Sequence, residues 1–140
     1  VGYHSLKNYK NINFVIINER ELRHELRDRN GNLKLLIKKF SKTQKIKDII
    51  VTRGSLGATL YNKKENTFYH CPAFADKVLD KVGSGDTMLT QSSMTLAKSK
   101  DRNLALLLGS LAASESVRNF GNKNTIIKEN FLKSIKHLLK

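Results

Sequence analysis

Two short β-branched runs, Ile12 to Ile17 and Ile46 to Thr52, are separated by two amphipathic helical patterns, and that order leaves few folds open. Phe14-Val15-Ile16-Ile17 and Ile49-Ile50-Val51 are continuously apolar, as strands buried on both faces are. Such burial needs a helical layer above and below the sheet. Between the runs, Glu19 to Arg27 is a charged helix with Leu22 and Leu26 four apart. After a turn at Asn30-Gly31, Leu33 to Phe40 places Leu33, Leu36, Ile37 and Phe40 on one helical face. Strand, helices and strand in this order fit a crossover between parallel strands. The pattern predicts an α/β fold, a mostly parallel sheet with helices on both faces.

Further along, Gly54 and Gly57 bracket a turn, and Ala58-Thr59-Leu60-Tyr61 resumes the strand. Asn62 to Asn66 reads as a hairpin loop returning through Thr67-Phe68-Tyr69-His70. Pro72 puts this section at a sheet edge, and Tyr61, Phe68 and Tyr69 read as sheet packing. Thr87 to Lys98 is a helix rich in small residues, and Leu104 to Val117 another, thinned by Gly109, Ala112 and Ala113. Gly121 is placed to stop it, and Ile126 to Leu139 is an amphipathic terminal helix. No repeat, low-complexity tract or linker divides residues 1–140, so a single domain is expected. Its abrupt entry into a strand, without a leading methionine, suggests the latter part of a longer polypeptide.

Composition excludes more than it selects. With 140 residues and 39% apolar content the chain can bury a core. No apolar run approaches the ~20 residues of a membrane helix, and Val1 to Lys10 has no signal-peptide pattern. The single Cys71 allows no internal disulfide and suits a reducing cytoplasm, and the four scattered histidines make no metal-ligand spacing. The net charge of +14 fits either nucleic-acid binding or a lysine-rich surface that favours phosphorylated small molecules. The lysines are dispersed, and no helix-turn-helix, zinc-finger or aromatic-ladder pattern accompanies them, so nucleic acid is the less favoured partner.

Chemistry concentrates in Asp80-Lys81-Val82-Gly83-Ser84-Gly85-Asp86. The small turn Gly83-Ser84-Gly85 lets the backbone approach a ligand, and a helix starting near Asp86 aims unpaired N–H groups into it. An anion cradle beside a carboxylate is what phosphoryl transfer to a hydroxyl requires. The same residues also fit Asp86 as a simple N-cap. Asn18 with Glu21 three residues on likewise fits a capping box. Gly54 and Gly57 fit a hairpin turn, Ser110 and Ser114 helix packing, and Cys71 an inert buried thiol. Neither a P-loop nor a Rossmann fingerprint is present.

Asp80 to Asp86 resembles the signature of the ribokinase-like (PfkB) carbohydrate kinases, Asp-Thr-x-Gly-Ala-Gly-Asp. Val51-Thr52-Arg53-Gly54-Ser55-Leu56-Gly57-Ala58 is similar to that family's strand-turn before the nucleotide, and Asn18-Glu19-Arg20-Glu21 to its Asn-x-x-Glu motif. Pro72-Ala73-Phe74 and Gly121-Asn122 look most like the heptose-phosphate-kinase-like branch, some of whose members carry a fused nucleotidyltransferase domain. The resemblance runs from about Ile12 to the end, and implies a partial ribokinase-like three-layer sandwich: the C-terminal, ATP-binding and catalytic-base part of a longer kinase.

The resemblance further implies a role for each residue. Asp86 would deprotonate the attacking hydroxyl of a sugar or sugar phosphate, and Gly83, Ser84 and Gly85 would offer N–H groups to the phosphoryl charge. Thr52, Gly54 and Gly57 would line the nucleotide phosphates and ribose, with Ser110 and Ser114 near adenine. Asn18 and Glu21 would act on Mg²⁺ through water, while Asp80 and Gly121-Asn122 match a region that binds a monovalent cation, K⁺, in some members. Lys81 and Ser84 depart from the family's threonine and alanine. The family's sugar-binding half lies upstream of the matched part, so the isolated piece is expected to be inactive. A silent nucleotide-binding or assembly module is the alternative, and an uncovered sheet edge would favour homo-oligomers.

Overall fold

The structure is a computed structural model that describes residues 12–74, 83–117 and 128–138. β1 (Phe14–Asn18) passes into α1 (Glu19–Leu26) without a break, because Asn18 caps the helix. Asn18 Oδ1 accepts from Glu21 N at 2.8 Å, and Glu21 Oε2 accepts from Asn18 N at 3.1 Å. This reciprocal box satisfies two amides that the first turn leaves without partners. Asn32 caps α2 (Leu33–Gln44) by a one-way cap, its Oδ1 accepting from Lys34 N and Leu35 N. α2 runs one turn beyond the expected Phe40 and stops at Lys45, in a left-handed conformation at φ 57°.

β2 (Asp48–Thr52) pairs parallel to β1, with Asn18 opposite Thr52. A 3-10 turn (Gly54–Leu56) leads to β3 (Ala58–Asn62), which pairs antiparallel to β2, and β4 (Thr67–Cys71) pairs antiparallel to β3. The sheet order is β1-β2-β3-β4. The described strands therefore make a mixed sheet with one parallel pairing, where the sequence suggested a mostly parallel one. The reason is chain length: a turn as tight as Arg53 to Gly57 can only reverse direction, since a parallel return needs a crossover of a dozen residues or more. β4 is an edge strand, as Pro72 indicated.

Helices cover both faces. Leu22 of α1 and Leu36, Ile37 and Phe40 of α2 pack on Val15, Ile17, Ile49, Val51 and Tyr61. The opposite face (Ile50, Ala58, Leu60, Cys71) meets Met88 of α3 (Ser84–Ser99) and Leu106 of α4 (Arg102–Val117). Each fully buried Leu, Ile or Phe contributes about 1.5–3 kcal/mol. Both faces of β1 and β2 are thus used, which is why their sequences show no polar alternation. This is the three-layer α/β sandwich the sequence implied.

α3 and α4 cross closely because the contact is built from small groups. A Cβ on Gly109 would overlap Ser92 Oγ, and that buried hydroxyl donates to Ala105 O at 3.1 Å. Asp101 Oδ1 accepts from Leu104 N (3.0 Å) and so starts α4. α5 (Lys128–Leu138) is tied to α4 by Ser134 Oγ donating to Glu115 Oε1 at 2.7 Å. At the start of β2, Asp48 accepts from Asn62 Nδ2 (2.6 Å) and from Arg102 Nε (2.8 Å). Arg102 Nη1 also reaches Glu65 Oε1 at 2.9 Å, joining α4 to the β3–β4 loop.

Candidate active site

The parallel register sets Asn18 beside Thr52 where β1 and β2 end, and the next residues extend the pair. Open α/β sheets place ligands at such carboxyl ends. Glu19 Oε2 accepts from Arg53 Nε at 2.8 Å, and Glu19 Oε1 accepts from Arg23 Nη2 at 2.7 Å and Nε at 2.9 Å. The bond from Arg53, opposed by partial burial and assisted by Arg23, holds the Glu19 carboxyl below the usual carboxylate range. Asn18, Glu19, Glu21, Thr52 and Arg53 therefore form one continuous polar edge.

The turn after Thr52 is closed by its own backbone: Arg53 N donates to Gly57 O (2.8 Å), Leu56 N to Arg53 O (3.2 Å) and Gly57 N to Gly54 O (3.0 Å). Gly54 has φ 59°, yet a Cβ there would meet nothing within 4 Å. Its left-handed backbone favours glycine, and the space in front of it is open to a ligand. Gly57, at φ 80°, is doubly constrained, since a Cβ would overlap Cys71 O and come within 2.8 Å of the Pro72 backbone.

α3 begins at Gly83, in the left-handed region at φ 81°, with no capping side chain. Ser84 and Gly85 already belong to the first helical turn, so the helix starts earlier than the expected Thr87 and only Gly83 forms the bend. Asp86 is not the N-cap; it lies in the first turn, where the helix dipole favours a carboxylate. It is exposed, and no described residue bonds or ion-pairs its carboxylate. A Cβ on Gly85 would meet nothing within 4 Å, so the approach to the first-turn amides is open.

Ser110 and Ser114 are turned into the fold. Ser114 is buried and its Oγ donates to Leu111 O at 2.8 Å, a bond within its own helix. Ser110 Oγ is buried and no described group meets hydrogen-bond geometry with it, although it is near enough to the Cys71 thiol to oppose the upward push that burial gives that thiol. Cys71 is thus a buried thiol at the end of β4 whose carbonyl packs on Gly57. Asp80, Lys81, Gly121 and Asn122 lie outside the described residues. Among the described residues no cluster of three or more His, Cys, Asp or Glu could hold a metal, and no helix is long and apolar enough to cross a membrane. Asn18 Oδ1 and Glu21 Oε2 are occupied by the capping box, leaving Glu21 Oε1 as the uncommitted oxygen of the pair. That donor set fits a water-mediated contact to Mg²⁺ better than direct ligation.

Glu19 and Arg53 were not among the residues the sequence singled out. The Glu19–Arg23 offset of four was a legible signal, but the link to Arg53 spans 34 positions and depends on strand register.

Comparison with known proteins gives concordant results. The profile of pfkB family carbohydrate kinases matches residues 4–129. The chain is 27% identical over 124 residues to the bifunctional protein HldE of Helicobacter pylori, covering 86% of this chain and 26% of that protein. It superposes on the Thermotoga maritima ribokinase with a TM-score of 0.76 at 25% identity, covering 89% of this chain and 42% of that one. The Arabidopsis thaliana ribokinase complexed with ribose and ATP gives 0.76 at 24% identity, with 89% and 41% covered. The chain thus spans about a quarter of the length of the curated relative and about two fifths of the ribokinase chains.

Proposed function

This chain belongs to the pfkB family of carbohydrate kinases, and we propose that it carries the ATP side and the proton acceptor of a kinase acting on a sugar or sugar phosphate. The observation that carries the reading is the start of α3: a left-handed Gly83 at the N-cap and, within the first turn, the exposed Asp86, whose carboxylate no described residue bonds. In the proposed reaction Asp86 takes the proton of the acceptor hydroxyl while the hydroxyl oxygen bonds to the γ-phosphorus. The bond from that phosphorus to the β–γ bridging oxygen breaks, and ADP leaves. The amides of Gly83, Ser84 and Gly85 stabilise the charge on the transferring group, which is where preorganised donors are most effective.

Thr52, Gly54 and Gly57 are assigned to the nucleotide phosphates and ribose, in keeping with the open space before Gly54. Asn18 and Glu21 are assigned to the water shell of Mg²⁺, which when bound would offset phosphate charge, and Asp80 to a K⁺ site. Ser110 and Ser114 are assigned to the adenine side; with both hydroxyls turned inward, their contribution is the packing of α4 behind the base. A sugar-binding half and a fused nucleotidyltransferase domain elsewhere in the full-length protein, and a cytoplasmic location, complete the proposal. The relative's name, a bifunctional protein, is in keeping with the second domain.

The test is Asp86→Asn in the full-length protein. Loss of a general base lowers kcat about 10²- to 10⁴-fold, with ATP binding retained in calorimetry; near-normal turnover would defeat the assignment. The alternative is that the chain is a silent nucleotide-binding or assembly module. It predicts ATP binding without transfer to any member of a sugar panel.

A further inference from the structure

The Glu19 carboxylate sits between two arginines whose donors are used very differently. Arg23 uses four of its five N–H donors: Nε and one N–H of Nη2 on Glu19 Oε1, and Nη1 on the carbonyls of Arg29 (3.1 Å) and Gly31 (2.9 Å). Arg53 donates through Nε alone, and among the described residues neither Nη1 nor Nη2 has a partner. Two guanidinium groups against one carboxylate leave one positive charge, and among the described residues four of the trio's five uncommitted N–H donors are on Arg53. Its side chain is 30% exposed, so those donors remain accessible.

Position adds to this. Arg53 follows Thr52, whose partner across the parallel register is Asn18, and its backbone N–H closes the turn that holds Gly54 and Gly57. A guanidinium gripped at Nε keeps its opposite edge as a planar fork matched to two oxygens of one phosphate. A tether between α1 and the turn would need only the Nε contact.

We infer that Arg53, oriented by Glu19, binds the polyphosphate of the nucleotide, with Glu19 and Arg23 as positioning residues that hold the fork in place. The inference rests on the reading of the Thr52–Gly57 turn as the nucleotide side of a kinase. Glu19 keeps Arg53 from folding back onto solvent or onto the backbone carbonyls of its own turn. Arg23 in turn fixes Glu19 to the loop before α2. The fork supplies charge and orientation to a site otherwise made of Thr52, glycine and backbone.

Titration calorimetry on the full-length protein with ATP, tripolyphosphate and adenosine tests this. Arg53→Ala should weaken ATP and tripolyphosphate about ten- to a hundredfold, the range of a lost charge-assisted hydrogen bond, and leave adenosine unchanged. Arg53→Lys, which keeps charge but not the fork, should recover only part of that loss. Glu19→Gln keeps the arginine and carries the test if Arg53→Ala does not fold; it should weaken tripolyphosphate severalfold. Unchanged ATP and tripolyphosphate affinity in these variants, with only a lower thermal midpoint, would make Arg53 a tether and overturn the inference while leaving the kinase reading intact. Equal loss of adenosine would also overturn it, because it would report collapse of the turn. Phosphate-selective loss in a protein that phosphorylates no sugar would uphold Arg53 and remove the kinase reading instead.

Discussion

Gly54 and Gly57 occupy one turn at similar φ, and replacing each with alanine separates two costs that are usually confounded. At Gly54, φ 59° is left-handed and a Cβ would stand in open space. Alanine there bears only the conformational penalty, about 1–2 kcal/mol, partly offset by ~0.4–1 kcal/mol from the stiffer unfolded chain. The net is about 1 kcal/mol of destabilisation. At Gly57, φ 80° and ψ −143° lie near a region that only glycine occupies readily, costing ~1–3 kcal/mol. There the Cβ also overlaps the Cys71 carbonyl oxygen and meets Pro72 backbone atoms at 2.8 Å. Backbone cannot rotate aside as a side chain can, so overpacking adds about 1–3 kcal/mol. With the same unfolded-state offset, Gly57→Ala should cost about 3 kcal/mol, roughly 2 more than Gly54→Ala. At a urea m-value of ~2 kcal/mol/M, that difference separates the two midpoints by about 1 M. Urea unfolding followed by far-UV circular dichroism reads it directly. Midpoints within about 0.3 M of each other would mean that β4 does not press on the turn as described.

Three further outcomes are expected. Arg102→Ala leaves a partly buried Asp48 with Asn62 as its remaining side-chain partner, and should destabilise by about 1–3 kcal/mol in urea unfolding, whereas loss of the more exposed Glu65 in Glu65→Gln should cost under ~1 kcal/mol. Because Arg53, chiefly, and Arg23 lower the folded-state pKa of Glu19, its stabilisation is full above the unfolded carboxyl value and is lost as pH falls through the lower folded value. The gap in unfolding midpoint between wild type and Glu19→Gln should therefore close on acidification below about pH 4, and a gap that widened would refute the ion pair. Burial raises the Cys71 thiol, so alkylation by iodoacetamide should be slow in the folded protein and accelerate on unfolding, and Ser110→Ala, which removes the opposing hydroxyl, should slow it further.

The local rules of this protein are written in its sequence. Phe14 to Ile17 and Ile49 to Val51 announce strands buried on both faces, because a run with no polar alternation has no face to give to water. Asn18 with Glu21 encodes the capping box, since both bonds span three residues and need no other element. Even the positive φ of Gly54 and Gly57 is foreshadowed by residue type. Register and contact across the fold decided the rest. That β3 runs antiparallel to β2 follows from the closed turn between them, not from the apolar pattern, which fits either direction. Ser110 and Ser114 could have faced solvent or core on composition alone, and only the seating of α4 on the sheet turned their hydroxyls inward. Glu19 meets Arg53 because β1 and β2 pair in parallel with Asn18 opposite Thr52; a slip of one residue would send successive side chains to the other face and break the link. Bonds within a turn of helix are fixed by spacing, whereas bonds between elements exist only once the sheet has chosen its pairing.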